Sequence, residues 1–488
     1  MSVATQTSAR PSIERAAGLG LLVSLASVVA AAVRSKAAAL FLGPVGVGIV
    51  AEVQQLATLV LVPLAAFAGP ALVQALANRD SPTHERVIGA ALAWTLALGV
   101  LLSAAAVLLA PRLLPTNWNI ALRTSVALVS SGTLFVALTN VATQTLVFRA
   151  RLADSARLQV VATIVSALAV VVSTWSFGIV GQFVALVAAP AVMVPLYWRT
   201  ARESGAWPRA LSSWNLSPDF FRLAFTVGGA SLAAGVALQG ALYVTRLRLE
   251  LTGGAALNGQ FQAAWAIGSL YLGLVLSGIG NFAFPRFATA DGTEQLQSEV
   301  NATAAFVAKF APPAVLLVVA FSGLGVRLLY SSGFEPAVEI LKWQLAGDVA
   351  KCFAWAYAGP LLYRGRVRAF MFAEFTVAVF LAGLSWILVP RFGAVGAGQA
   401  YLASHVVYLV AATIAARVSL GLRPKVQHIV IAVACTAVLA GIAALPTNIF
   451  IQGGLTVASL IWLIASGALP EIAKKVRARF LPAQRNSK

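Results

Sequence analysis

Residues 34–55 read RSKAAALFLGPVGVGIVAEVQQ. Two apolar arms flank the turn Leu42-Gly43-Pro44-Val45-Gly46-Val47-Gly48, a pattern that predicts a helical hairpin. Both arms carry polar groups where a membrane helix is ordinarily apolar. Arg34 and Lys36 stand on the first, Glu52, Gln54 and Gln55 on the second. A charge inside hydrocarbon is costly, so such a group usually faces a protein-lined cavity and serves a purpose.

The rest of the chain has the same character. Its 488 residues are 59% hydrophobic and only 10% charged, with mean hydropathy +0.86. A soluble chain of this length needs far more charge to solvate its surface. The composition predicts an all-α, polytopic membrane protein with about fourteen transmembrane helices, since ~20 mostly apolar residues span a bilayer. The spans read 16–41, 45–76, 87–110, 119–147, 158–176, 179–199, 221–249, 256–284, 302–329, 337–363, 368–389, 394–417, 427–445 and 450–469. The first apolar run is too long for a signal-peptide core and is expected to stay as a helix. Bends are expected at Pro63, Pro70, Pro190, Pro195, Pro312, Pro313 and Pro360.

The net charge is +19. In a soluble chain that would suggest nucleic-acid binding, but here the basic residues punctuate the apolar runs. Arg149, Arg151 and Arg157, then Arg364, Arg366 and Arg368, then Arg417, Arg423 and Lys425 fall in even-numbered loops, and a basic tail follows. Odd-numbered loops are nearly free of base. The positive-inside rule then puts both termini in the cytoplasm and leaves no case for a nucleic-acid partner.

The chain also repeats itself. Arg112-Leu113-Leu114 recurs as Arg327-Leu328-Leu329, Phe148-Arg149-Ala150-Arg151 as Tyr363-Arg364-Gly365-Arg366, and Phe177-Gly178-Ile179-Val180-Gly181 as Phe392-Gly393-Ala394-Val395-Gly396. All three pairs share an offset of about 215 residues by subtraction of their numbers. The opening hairpin has a fainter echo in Arg246, Arg248 and Gly253-Gly254. Six helices per repeat is even, so the two halves are expected to be parallel repeats with a cavity between them. The expected organisation is an N-terminal six-helix lobe (1–200), a cytoplasmic linker (201–220), a C-terminal six-helix lobe (221–420), an added helix pair (421–470) and a basic tail (471–488).

Enzyme chemistry finds no foothold. There is no P-loop, and the glycines of the hairpin follow no strand. His84, His405 and His428 are scattered, and Cys352 and Cys435 each sit alone in an apolar run. The reading is therefore of a protein that is not an enzyme and has no cofactor, disulfide framework or metal site.

Candidate cavity residues follow from depth and phase. Arg34 lies nine positions before Gly43 and Glu52 nine after it, each roughly 10–13 Å from the turn. At equal depth they are candidates to pair across the hairpin, as a functional or merely structural ion pair. Arg34 and Lys36 are two apart and point to nearly opposite faces, as do Arg246 and Arg248. Asp348 and Lys351 are three apart and share a face. Glu374 is a lone carboxylate in an apolar span, suited to binding a proton or simply hydrogen-bonded at a helix interface.

The runs LGPVGVG and EVQQL, then WQLAGDVAK, FAEF and FGAVGAGQAYLASHVVY, resemble the Wzx-type O-antigen translocases, and most nearly the flippases for enterobacterial common antigen lipid III. These are transporters of the multidrug/oligosaccharidyl-lipid/polysaccharide exporter superfamily. The likeness covers about residues 16–420 and is strongest at 343–409. It implies flipping of an undecaprenyl-diphosphate-linked oligosaccharide across the bacterial inner membrane by alternating access, with ion-gradient coupling. It implies surface-polysaccharide biosynthesis, membrane lipid as surroundings, and a polysaccharide polymerase and chain-length machinery as partners. Lys36, Asp348, Lys351 and Glu374 match polar positions of the family pattern; Arg34, Glu52, Arg246 and Arg248 rest on geometry. Asp348 and Glu374 are the ion-coupling candidates. Arg34, Lys36, Glu52, Gln55, Arg246, Arg248 and Lys351 are the cavity candidates, with base for a diphosphate and glutamine amides for sugar hydroxyls. The alternatives are a cation-coupled multidrug exporter or a lipid II flippase of the same superfamily. A drug exporter for organic cations needs an acidic cavity, whereas these spans carry more base than acid.

Overall fold

The structure is a computed structural model that describes residues 13–77, 84–113, 120–203, 214–446 and 449–467. The middle of the expected linker and the basic tail lie outside the described residues. Apart from one 3-10 turn, Ser332–Phe334, every regular element described is an α-helix. They run α1 (Ile13–Ala68), α2 (Pro70–Ala77), α3 (His84–Leu113), α4 (Ile120–Phe148), α5 (Leu152–Glu203), α6 (Pro218–Thr289), α7 (Gly292–Ala320), α8 (Ser322–Leu329), α9 (Ala337–Tyr363), α10 (Val367–Phe392), α11 (Ala394–Leu420), α12 (Val426–Ala443) and α13 (Ile449–Ala465). Among the described residues, nine helices are long and apolar enough to cross a membrane. The protein is a multi-pass membrane protein, as the composition predicts.

Three of the long helices are pairs of arms broken at glycine. The breaks are Gly43 in α1 (φ 63°, ψ −174°), Gly178 in α5 (φ 58°, ψ −136°) and Gly253–Gly254 in α6, where Gly254 has φ 73° and ψ −174°. Counting each arm, and taking the short α2 and α8 with the helices they follow, the described residues give back the fourteen spans read from the sequence. The prolines within α1 and α5 leave the helical path intact; a positive φ, which only glycine adopts without strain, breaks it.

The repeat seen in sequence is also a repeat of backbone conformation. Gly43 matches Gly254, and Gly178 matches Gly393 (φ 60°, ψ −143°) at the junction of α10 and α11. After α4, the N–H of Ala150 bonds the carbonyl of Val147 at 3.0 Å and that of Arg151 bonds Leu146 at 2.9 Å. After α9, Gly365 bonds Leu362 at 3.1 Å and Arg366 bonds Leu361 at 2.7 Å. This is the same Schellman closure twice. A methyl at Gly181 would lie 1.8 Å from the carbonyl oxygen of Ser173, and one at Gly396 would lie 2.4 Å from that of Leu388. Both turns thus need a residue without a side chain where the second helix crosses the first.

The chain divides into two compact packing units, Met1–Leu251 and Thr252–Lys488. The first arm of α6 packs with the first unit. Phe67, Trp94, Phe220, Phe221 and Phe225 form one aromatic cluster there, with Trp94 and Phe221 centroids 4.6 Å apart. A second core of Val50, Val53, Leu56, Val129, Phe183 and Tyr243 joins α1, α4, α5 and α6.

The second unit is built around α9, which packs against α7, α10, α11 and α12. Twenty of its 27 residues are buried. Its approach to α11 is close: a methyl at Gly347 would lie 2.9 Å from Leu402 Cα, and one at Gly398 would lie 2.8 Å from the carbonyl oxygen of Ile340. Small residues at such crossings let two membrane helices touch backbone to backbone. The added pair packs on the same unit, α12 against α9 and α13 against α7. Trp462 Nε1 donates to the carbonyl of Ala308 at 3.1 Å, the acceptor that Pro312, lacking an N–H, cannot bond.

Candidate functional site

In the second unit, two helices contribute polar side chains at matching helical spacing. Gln344, Asp348 and Lys351 recur at i, i+4 and i+7 on α9; Tyr401, His405 and Tyr408 do the same on α11. The Gly347 and Gly398 contacts bring these stripes together. The Tyr401 hydroxyl donates to Asp348 Oδ1 at 2.6 Å. Lys351 Nζ donates to the same hydroxyl at 3.4 Å and lies 5.7 Å from the Tyr401 ring centroid. His405 stacks on that ring with centroids 4.0 Å apart, and its Nδ1–H donates to the Tyr401 carbonyl at 2.8 Å. Trp265 closes the other side, edge-on at 5.8 Å.

Glu374, on α10, accepts a hydrogen bond from the Tyr408 hydroxyl. Lys351 interacts electrostatically with both Asp348 and Glu374. When all three are ionised, two carboxylates face one ammonium, and the cluster carries one surplus negative charge. A proton or a monovalent cation would neutralise it. Beside Asp348 and Lys351 lies a small cavity of about 30 Å³, lined also by Trp265, Ser269 and Gln344. It has room for one or two waters. Both amide atoms of Gln344 are buried there without a hydrogen-bond partner. Buried polar groups rarely go unsatisfied, so a small polar occupant is expected.

The first unit holds the other candidates. Glu52 is fully buried and interacts electrostatically with Tyr243 of α6. Gln55 Nε2 donates to the Gln239 side-chain oxygen at 2.8 Å and to its backbone carbonyl at 3.0 Å. Arg246 and Glu250 are buried on the same arm of α6; Arg248 and Lys36 are half-buried. Arg34 reaches α5. Its guanidinium donates to Ser166 Oγ on α5 at 3.3 Å. Equal depth fixes position along the membrane normal but not direction around the helix, and the break at Gly43 resets that phase.

The structure thus gathers Asp348, Lys351 and Glu374 around two tyrosines, sets Glu52 and Gln55 against α6, and turns Arg34 toward α5. The tyrosines, His405 and Gln344 escape a search for charge alone. Their spacing at i, i+4 and i+7 along otherwise apolar helices was the available signal. Among the described residues no group of three or more His, Cys, Asp or Glu side chains is placed to hold a metal ion.

Comparison with known proteins agrees with the resemblance carried by these runs. No family model matches the chain. It is 25% identical over 404 residues to the lipid III flippases of Escherichia coli and of Shigella flexneri, covering 80% of this chain and 92% of each relative. Its fold is that of the lipid II flippase MurJ (TM-score 0.69, 12% identity, 93% of this chain and 98% of that one). It is likewise that of an inward-facing multidrug resistance transporter of the MATE family (TM-score 0.65, 16% identity, 82% and 94%). The chain is therefore similar in sequence to lipid III flippases and has the fold of transporters of the MOP superfamily.

Proposed function

We propose that the protein flips an undecaprenyl-diphosphate-linked oligosaccharide, a surface-polysaccharide repeat unit, from the cytoplasmic to the periplasmic leaflet of the bacterial inner membrane. The observation that carries this reading is the likeness to lipid III flippases along 80% of the chain. The chemistry agrees with it. A diphosphate is strongly anionic, and Arg34, Lys36, Arg246, Arg248 and Lys351 supply base in low-dielectric surroundings. The linked Gln55 and Gln239 amides offer donors and acceptors suited to sugar hydroxyls.

Transport proceeds by alternating access and is coupled to an ion gradient through Asp348 and Glu374. Lys351 links the two roles. A diphosphate that draws on the Lys351 charge deprives both carboxylates of their counter-charge, and they then take up a proton or a cation. Polysaccharide polymerase and chain-length machinery are the expected partners.

The test is a strain lacking the protein. The lipid-linked repeat unit should accumulate on the cytoplasmic leaflet, and Lys351→Ala or Arg34→Ala should fail to restore export while still inserting. Normal appearance of the repeat unit outside, with raised sensitivity to organic cations, would replace this reading by that of a drug exporter. Wild-type surface polysaccharide in both variants would sink the cationic-cavity argument.

A further inference from the structure

The turn between α9 and α10 borders a pocket that the transport reading does not use. It has a volume of about 500 Å³ and is lined by Thr293 and Leu296 of α7, Tyr363, Arg364 and Arg366 of the turn, and Ser419 at the end of α11. We propose that it holds the phosphate headgroup of an anionic phospholipid.

The internal repeat supplies the argument. In the first unit the equivalent turn is self-neutralised. Arg151 Nε meets Asp154 Oδ2 at 2.6 Å, and Arg151 Nη1 also reaches the carbonyl of Thr200 at 3.5 Å. In the second unit the position equivalent to Asp154 is Ala369, and the one equivalent to Ala153 is Arg368. The same Schellman turn that carries two arginines and an aspartate in one unit carries three arginines and no acid in the other. Arg364 Nη1 donates to the carbonyl of Ala290 at 3.0 Å, which ties the turn to the start of α7 and fixes the wall of the pocket. Asp291 and Glu294, at the first turn of α7, are exposed and do not line the pocket; Glu299 is paired with Arg286 at 3.5 Å. Base left without its counter-acid beside a polar pocket is a site for an external anion.

Phosphate chemistry is shared by free phosphate and by lipid headgroups, and the surroundings favour the lipid. Val367 and Val418, the chain neighbours of the lining residues Arg366 and Ser419, are exposed, and Phe372 and Phe375 are exposed further along α10, apolar surface along which acyl chains can lie. The positive-inside rule places this arginine-rich end at the cytoplasmic leaflet, where anionic lipid gathers around basic segments.

The experiment uses the full chain, purified and equilibrated with equal phosphatidylglycerol and phosphatidylcholine. Retained lipid is read by native mass spectrometry. Phosphatidylglycerol should be retained preferentially, with retention falling about fivefold in Arg366→Ala, the effect of one basic contact near a membrane surface. It should recover in Arg366→Lys and stay unchanged in Arg151→Ala. Arg366 is exposed, so its loss leaves the fold intact. Equal retention of both lipids, an equal fall in Arg151→Ala, or binding of inorganic phosphate without any preference for phosphatidylglycerol would each overturn the proposal.

Discussion

Tyr401→Phe removes a single oxygen from the buried cluster, and the structure says what that oxygen is worth. Its hydroxyl donates to Asp348 at 2.6 Å, and Asp348 is only 2% exposed. A hydrogen bond to a charged group contributes about 1.5–3 kcal/mol when its loss leaves the partner buried. The bond from Lys351, at 3.4 Å, is long and adds little. The phenyl ring keeps its contacts with Trp265 and His405, so packing is conserved. The expected loss is about 2 kcal/mol of stability, or roughly thirtyfold in the folded-to-unfolded ratio. Denaturation of the purified protein in lipid nanodiscs measures it. Tyr357→Phe is the control, because the Tyr357 hydroxyl is buried without a hydrogen-bond partner and its removal should cost nothing. A loss below about 0.5 kcal/mol for Tyr401→Phe, or equal losses for both variants, would refute the assignment. Asp348→Asn separates charge from structure. Its amide oxygen still accepts from Tyr401, so the fold should hold while transport falls at least about tenfold.

Two further outcomes follow from the packing. Gly396→Ala and Gly181→Ala should each cost about 3 kcal/mol or more and reduce the amount of inserted protein, because the added methyl meets backbone in both turns; Gly383→Ala, with open space around it, should be tolerated in the same expression assay. Trp462→Phe should cost about 1 kcal/mol through the lost bond to Ala308. That loss should shrink in a Pro312→Ala background, where the helix regains its own donor, and a double-mutant cycle reads the difference.

Much of the fold was legible because its punctuation is chemical. Arginines mark one end of the helices, and glycines with positive φ mark the reversals. Three tripeptide-to-pentapeptide echoes were enough to find a repeat that the backbone then reproduces torsion for torsion at Gly178 and Gly393. The hairpin at Gly43 was legible for the same reason. The bond of Arg34 to Ser166 was not, since depth along the helix does not give direction around it. The site was half legible. Asp348, Lys351 and Glu374 stand out as charges in apolar spans, but their tyrosine partners lie more than 30 positions away on another helix, and only packing joins them.

Helix α9 shows why charge and depth must be read together. Glu339, Lys342, Gln344, Asp348 and Lys351 keep it off the set of nine helices apolar enough to span by composition. Yet its 27 residues reach about 40 Å, ample to cross a bilayer. It escapes the cost of those charges by burial: α7, α10, α11 and α12 pack around it, and Lys342, Asp348 and Lys351 find partners within the unit. Lys342 is 1% exposed, with its ammonium 2.7 Å from Glu339 and 2.7 Å from the carbonyl of Leu445 beyond α12. The pair α12–α13 therefore does more than extend the repeat. The loop that joins it satisfies Lys342 at one end of α9, and Trp462 takes up the carbonyl that Pro312 leaves free in α7, so the helix that carries Asp348 and Lys351 is packed by α12 as well as by α11. A polar central helix costs least when the shell around it is complete, and the added pair completes that shell.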